Sequence, residues 1–238
     1  MPSIIKIPFI LATTYAITAS FTNPNPVIKN KERRPEESKT FVHLIVKYML
    51  YFTSMFWLAA AAEIAVILLA ERNLVSRELT TQALRILMPS NEATNLRLTP
   101  LSITGALLVV GGSALRCKCF HILQELFTFE MTLRENHRLI SHGPYRYVRH
   151  PSYTGFVFAF VGMCCWVASS GSWVRESGVL GTMPGKVVVL GFMAVYIKLV
   201  VIAFQRMPIE DELMKASFGK EWEDWARRVP SWLVPGVY

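Results

Sequence analysis

Apolar residues in this chain cluster in long runs, with no strict alternation of hydrophobic and polar positions. A membrane-spanning helix needs about 20 mostly apolar residues. Five runs approach that length, at roughly residues 4–22, 41–70, 99–115, 153–170 and 184–205. The predicted fold is therefore all-α: a polytopic membrane helix bundle of about five transmembrane helices. The first run, "IIKIPFILATTYAITASFT", is short and followed by small residues, as in a cleaved leader. Only Lys6 precedes most of its apolar stretch, so it reads as a retained helix. The second run is longer than a bilayer core is thick at 1.5 Å rise per residue, so its helix must tilt or project. The fifth carries Lys198, which would snorkel or face a cavity. Small residues at 59–62, at Gly111 and Gly112, and at Gly155 and Ala159 allow close helix approach.

The polar intervals have patterns of their own. Residues 22–40, "TNPNPVIKNKERRPEESKT", form a proline-broken loop. Residues 116–140 keep apolar positions at helical spacing, so the third span either continues out of the membrane or turns to lie on it. Helical character then stops. Gly143-Pro144 marks a turn, and a residue before proline, here His150, avoids the helical region. Residues 141–152 are thus a tight, non-helical loop at the membrane surface. In the tail, Arg206 and Glu210 lie four apart on one helical face. That helix should end near Gly219, and a short amphipathic helix with Trp222 and Trp225 should follow.

Composition agrees with the membrane assignment. Of 238 residues, 52% are hydrophobic and 18% charged, with a mean hydropathy of +0.33. A soluble domain carries about 25% charged residues. The net charge is +8, but the basic residues sit between apolar runs, which excludes nucleic acid as a partner and leaves the lipid bilayer. With five spans, 23–40, 116–150 and 206–238 share one side and hold 16 Lys and Arg, against 7 on the other. The richer side should be cytosolic, which places the "HGPYRYVRHPSYTG" loop and the C-terminal tail on one cytosolic face. Cys117, Cys119 and His121 lack a second pair at zinc spacing, so no metal is expected, and the four cysteines read as reduced thiols.

Arginines and tyrosines at a membrane boundary are commonly interface anchors, and an Arg–Glu pair at i,i+4 is commonly helix support. Two such clusters on one face, flanking consecutive spans, instead suit a ligand carrying both a cation and an anion. The segments "HRLISHGPYRYVRHPSYTG" and "RMPIEDELMKASFGKEWEDWARRVP" resemble the isoprenylcysteine carboxyl methyltransferase family, integral membrane enzymes that use S-adenosylmethionine. The resemblance covers roughly 100–238. It implies one integral membrane methyltransferase domain over 1–238, with N-terminal spans and loops in 1–98 and the catalytic part in 99–238.

The resemblance further implies that the methyl donor is held by Glu130, His137, Arg138, Leu139, Ile140, Tyr145, His150, Pro151, Ser152, Tyr153 and Glu210. Arg206 would face the substrate carboxylate, and Arg206 and Glu210 would carry catalysis. Trp222 and Trp225 stand where the family commonly has tyrosines, and Asp211 where it has a second glutamate. The implied partners are prenylated CaaX-type protein C-termini and the implied location is the endoplasmic reticulum. A sister enzyme acting on a phospholipid amine or a small terpenoid acid is the alternative, and a non-enzymatic membrane scaffold is a third reading. Arg206 and the loop around His150 are expected to face one pocket.

Overall fold

The structure is a computed structural model that describes residues 4–25, 39–71, 77–89, 95–127 and 138–237. Among these residues there are helices and no strands. The long helices are α1 (Lys6–Phe21), α2 (Lys39–Glu71), α4 (Pro100–Leu123), α5 (Pro151–Ala168) and α7 (Met183–Phe218). Between them lie α3 (Arg77–Leu87) and the single turn α6 (Trp173–Glu176), and α8 (Lys220–Arg228) follows. Among the described residues four stretches are long and apolar enough to cross a membrane: Tyr48–Ala70, Pro100–Leu126, Pro151–Glu176 and Met183–Phe218. The chain is an integral membrane protein.

The expected first span is the exception among the five. α1 has 16 residues, about 24 Å at helical rise, short of a core about 30 Å thick. It packs against α4 and α2. α2 has 33 residues, so it projects beyond the core as its length requires.

Local signals set the helix ends. α4 opens on a capping box in which the Thr99 hydroxyl accepts from Ser102 N while the Ser102 hydroxyl accepts from Thr99 N, with Pro100 at the first position. It continues past the third apolar run to Leu123 and stops where Gln124 takes φ +49. The expected helical stretch 116–140 is therefore cut short: Arg138, Leu139 and Ile140 are not helical, and 128–137 lie outside the described residues. α7 runs through Pro208 and ends at Gly219, whose φ of +52 is open to glycine.

α4 and α5 form the tightest contact in the bundle. Gly112 faces Gly155 and Gly105 faces Gly162, an antiparallel match with the contacts seven positions apart on each helix. A Cβ on Gly112 would lie 2.5 Å from Gly155 O, and one on Gly105 2.6 Å from Gly162 O. Gly111, read from sequence as a packing position, has nothing within 4 Å and faces outward. Stacked aromatics from α1, α2, α5 and α7 fill the middle of the bundle, among them Phe21, Phe52, Phe156, Phe160, Phe192 and Tyr196.

Each end of the bundle is pinned by a buried cation. At one end Lys6 of α1 pairs with Glu63 of α2, and its Nζ also donates to Gly171 O at 2.6 Å. At the other end Arg116 of α4 donates from Nε to Ser20 O at 2.7 Å and from NH1 to the Ser152 hydroxyl at 3.0 Å. A buried charge left without its partner is costly, so these contacts fix α1, α4 and α5 in register.

Two outcomes are expected in detergent thermal-unfolding measurements. Gly155→Val should cost at least the 1–3 kcal/mol of an overpacked core, because it meets backbone and not a yielding side chain, whereas Gly111→Ala should be neutral or slightly stabilising. Lys6→Met alone should cost about 3–5 kcal/mol by stranding Glu63, and adding Glu63→Leu should restore most of that loss.

Candidate functional site

The loop expected at 141–152 holds a short 3-10 turn, Gly143–Arg146, and then His150, the residue just outside α5. Pro144 and Pro151 each occupy an early position of the turn or helix they open, where a missing N–H costs nothing. Gly143 takes φ +62, and a Cβ there would lie 2.6 Å from Ile122 Cδ1, so the turn sits directly on the end of α4.

The chain's last residues strap this loop in place. Arg149 N donates to Ser231 O at 3.0 Å, His150 N to Trp232 O at 2.9 Å, and the Thr154 hydroxyl to Leu233 O at 2.7 Å. Arg149 NH2 donates to Pro230 O at 3.0 Å, and its guanidinium lies 5.3 Å from the Trp232 ring. α8 packs Trp222 and Trp225 against Leu139, Tyr145, Met214 and Phe218, and Trp225 Nε1 donates to Tyr145 O at 3.3 Å.

The two polar segments meet at Glu210 and Asp211 of α7. Arg149 NH1 donates to Asp211 Oδ2 at 2.6 Å, and His150 Nε2 lies 3.1 Å from Asp211 Oδ1. A carboxylate only accepts, so this contact needs an N–H on His150 Nε2. The Tyr153 hydroxyl donates to Glu210 Oε1 at 2.5 Å, and Arg206 Nε lies 3.5 Å from the same oxygen. Glu210 Oε2 is 3.6 Å from His150 Nδ1, beyond hydrogen-bond distance, and so keeps acceptor capacity. The Glu210 side chain is 28% exposed against 11% for Asp211, so only the former is open to a solute.

The expected site residues separate into groups. Tyr153, Arg206 and, at 3.6 Å, His150 gather around the Glu210 carboxylate. Leu139 and Tyr145 border the tryptophan shelf of α8 beside them. Ile140 and Pro151 are buried, and Arg138 is exposed. The Ser152 hydroxyl accepts from Arg116, which gives it a structural task. Glu130 and His137 lie outside the described residues. Desolvation, with Cys119 beside it, holds the Tyr145 phenol well above the usual tyrosine value, so it stays a neutral hydroxyl. Sequence reasoning gave no role to Arg149, Arg116 or the tail at 230–233. Arg149 is adjacent to His150, but the partners that reveal its role are 62 and 81 residues away.

The donor set fits a ligand with both hydrogen-bond donors and acceptors. Glu210 Oε2 offers an acceptor suited to an ammonium or a hydroxyl. The Trp222 Nε1–H is buried and has no acceptor among the described residues. An apolar shelf of Leu139, Tyr145 and the two tryptophans lies alongside and would cover a planar aromatic group. Among the described residues no group of three or more His, Cys, Asp or Glu stands together as a metal would need.

Comparison with known proteins agrees with this architecture. Residues 105–172 match the model of the isoprenylcysteine carboxyl methyltransferase family. That stretch covers most of α4, the 143–146 turn and α5, and stops before Arg206. The chain is similar to protein-S-isoprenylcysteine O-methyltransferase B of Arabidopsis thaliana, 30% identical over 133 residues, 55% of this chain and 58% of that protein. It is also similar to protein-S-isoprenylcysteine O-methyltransferase A of the same plant, 29% identical over 129 residues, 53% of this chain and 56% of that protein. A probable protein-S-isoprenylcysteine O-methyltransferase of Oryza sativa subsp. indica is 28% identical over 135 residues, 56% of this chain and 61% of that protein. The chain thus spans less than two thirds of the length of these curated relatives. No solved structure matches it. The likeness to the isoprenylcysteine carboxyl methyltransferase family model thus lies in residues 105–172, less than half of the chain.

Proposed function

We propose that this protein transfers a methyl group from S-adenosylmethionine to the C-terminal carboxylate of a prenylated cysteine, with residues 99–238 as its catalytic part. The observation that carries the reading is the convergence of Tyr153, His150 and Arg206 on Glu210 at the rim of a membrane bundle. The names of the two Arabidopsis relatives, protein-S-isoprenylcysteine O-methyltransferases, supply the substrate class. The site lies on the cytosolic face of the endoplasmic reticulum, where the donor is dissolved and the richer set of lysines and arginines faces.

The methyl donor, when bound, supplies an electrophilic methyl on a sulfonium. The chain's residues position both reactants. A C-terminal carboxyl has a pKa near 3.3–3.7, so it is already ionised at neutral pH and no general base is needed. Arg206 clamps that carboxylate through its fork of N–H donors. Glu210 Oε2 would take a ribose hydroxyl or the amino group of the donor. Leu139, Ile140, Tyr145 and Trp222 would cover its base, and Tyr145 and Tyr153 would offer ring faces to the cation. Alignment of this kind accounts for up to roughly 7–11 kcal/mol of barrier lowering in the best cases. The greasy acceptor prefers lipid by about 0.8 kcal/mol per buried CH₂, and the donor prefers water, so the reaction needs a site where the phases meet.

Arg206→Ala should lower kcat by about 100-fold or more, in line with loss of one preorganised charge contact, with donor affinity largely kept. Glu210→Gln should instead weaken donor binding by about tenfold or more, as for loss of a charge-assisted hydrogen bond. Isothermal titration beside steady-state kinetics separates the two effects. Equal loss of donor affinity in both variants would reverse the assignment. With labelled donor, an S-prenylated cysteine analogue should be methylated and phosphatidylethanolamine should not. Transfer to the lipid alone would select the sister phospholipid reaction.

A further inference from the structure

A second concave site lies in the other half of the bundle. A cavity of about 490 Å³ opens between α1, α2, α5 and α7, within the size range of pockets that enclose one small ligand. It is distinct from the Glu210 site. Met193 on its inner wall precedes Arg206 by 13 positions of one helix, about 20 Å. The aromatic layer fills the space between, with Phe160 stacked on Tyr196 at 4.3 Å and Phe156 on Tyr196 at 5.3 Å.

The cavity wall has a polarity gradient. Glu63, Ser172 and Thr182 line one end, Met55, Phe56 and Phe192 line the end near the middle of the bundle with Tyr51 beside them, and Thr13 and Thr14 on the α1 wall spend their hydroxyls on backbone carbonyls. Thr182 and Met193 mark its two ends on α7, 11 positions or about 17 Å apart, roughly the depth of one leaflet of a 30 Å core. Head group outward and apolar body toward the midplane is the arrangement of a leaflet lipid. The wall also selects the head. Glu63 is the charged residue in the lining, and Lys6 already neutralises it. Lys6 itself is fully enclosed and spends its ammonium on Glu63 and Gly171 O, so the lining among the described residues offers no cation to an anionic head. A neutral hydroxyl can donate to the Glu63 carboxylate without adding charge to a membrane interior.

We propose that this cavity binds one lipid from the leaflet opposite the Glu210 site: a compact amphiphile with a single neutral hydroxyl head, directed at Glu63, and an apolar body reaching Phe192. A sterol and a long-chain alcohol share that chemistry. The proposal does not depend on the methyltransfer reading, since no residue of the Glu210 site lines the cavity.

The test is saturable binding of tritiated cholesterol and, separately, tritiated hexadecanol to the full chain in phosphatidylcholine nanodiscs. At least one probe should bind at one per protein, and which one binds assigns a ring system or a single chain. Ala59→Trp, which fills the cavity, should weaken that binding at least tenfold. Val188→Trp at the rim serves the same purpose if the first variant unfolds. Glu63→Gln should weaken binding several-fold, and Arg206→Ala should leave it unchanged. Absence of saturable binding by both probes overturns the proposal, as does undiminished binding in a folded cavity-filling variant. Loss of binding in Arg206→Ala, with competition by an S-farnesylated cysteine analogue, would make the cavity a tail pocket of the methyltransfer site and also overturn it.

Discussion

Two neighbouring carboxylates on one helix hold the polar end of this protein together. Successive positions on an α-helix point about 100° apart, so Glu210 and Asp211 cannot serve one partner equally. Asp211 faces inward and takes Arg149 and His150. That bond seats the first turn of α5, which in turn delivers the Tyr153 hydroxyl to Glu210. The inner carboxylate is thus used up in structure, and the outer one keeps an oxygen for chemistry.

The clasp works only because the helices beneath it are brought close. Glycines at 105, 112, 155 and 162 let α4 and α5 touch backbone to backbone. That approach lets Arg116 on α4 reach Ser152 on the first turn of α5 and Ser20 at the end of α1. The guanidinium also lies 5.7 Å from the Phe156 ring, so the polar site rests directly on the aromatic core. Packing in the apolar interior therefore sets the position of side chains at the water-facing rim.

The bundle is divided along its length as well. α7, at 36 residues and about 54 Å, passes through the apolar layer and emerges to carry Arg206, Glu210 and Asp211. Its membrane half keeps Val187, Leu190, Ile197 and Val201 exposed, as a surface bathed in lipid allows. Above, a C-terminal strap and two tryptophans shelter a polar site, and below, an apolar cavity opens with one neutralised carboxylate in its wall. The stacked rings of Phe52, Phe192, Phe156, Phe160 and Tyr196 keep the two compartments apart.

Sequence alone determined what depends on near neighbours. Runs of apolar residues marked the spanning helices, Pro144 and Pro151 marked the loop before α5, and Gly219 marked the end of α7, because each acts on backbone within a few residues of itself. The four-residue spacing of Arg206 and Glu210 predicted their contact for the same reason. Only the tertiary structure decided what depends on distant partners: Lys6 with Glu63, Gly105 with Gly162, and Arg149 with Asp211. A pattern of hydrophobicity specifies which face of a helix is buried but not which helix it meets. The partner of a buried charge or a glycine is fixed by three-dimensional packing, where dry surroundings make an unmatched group too costly to leave alone.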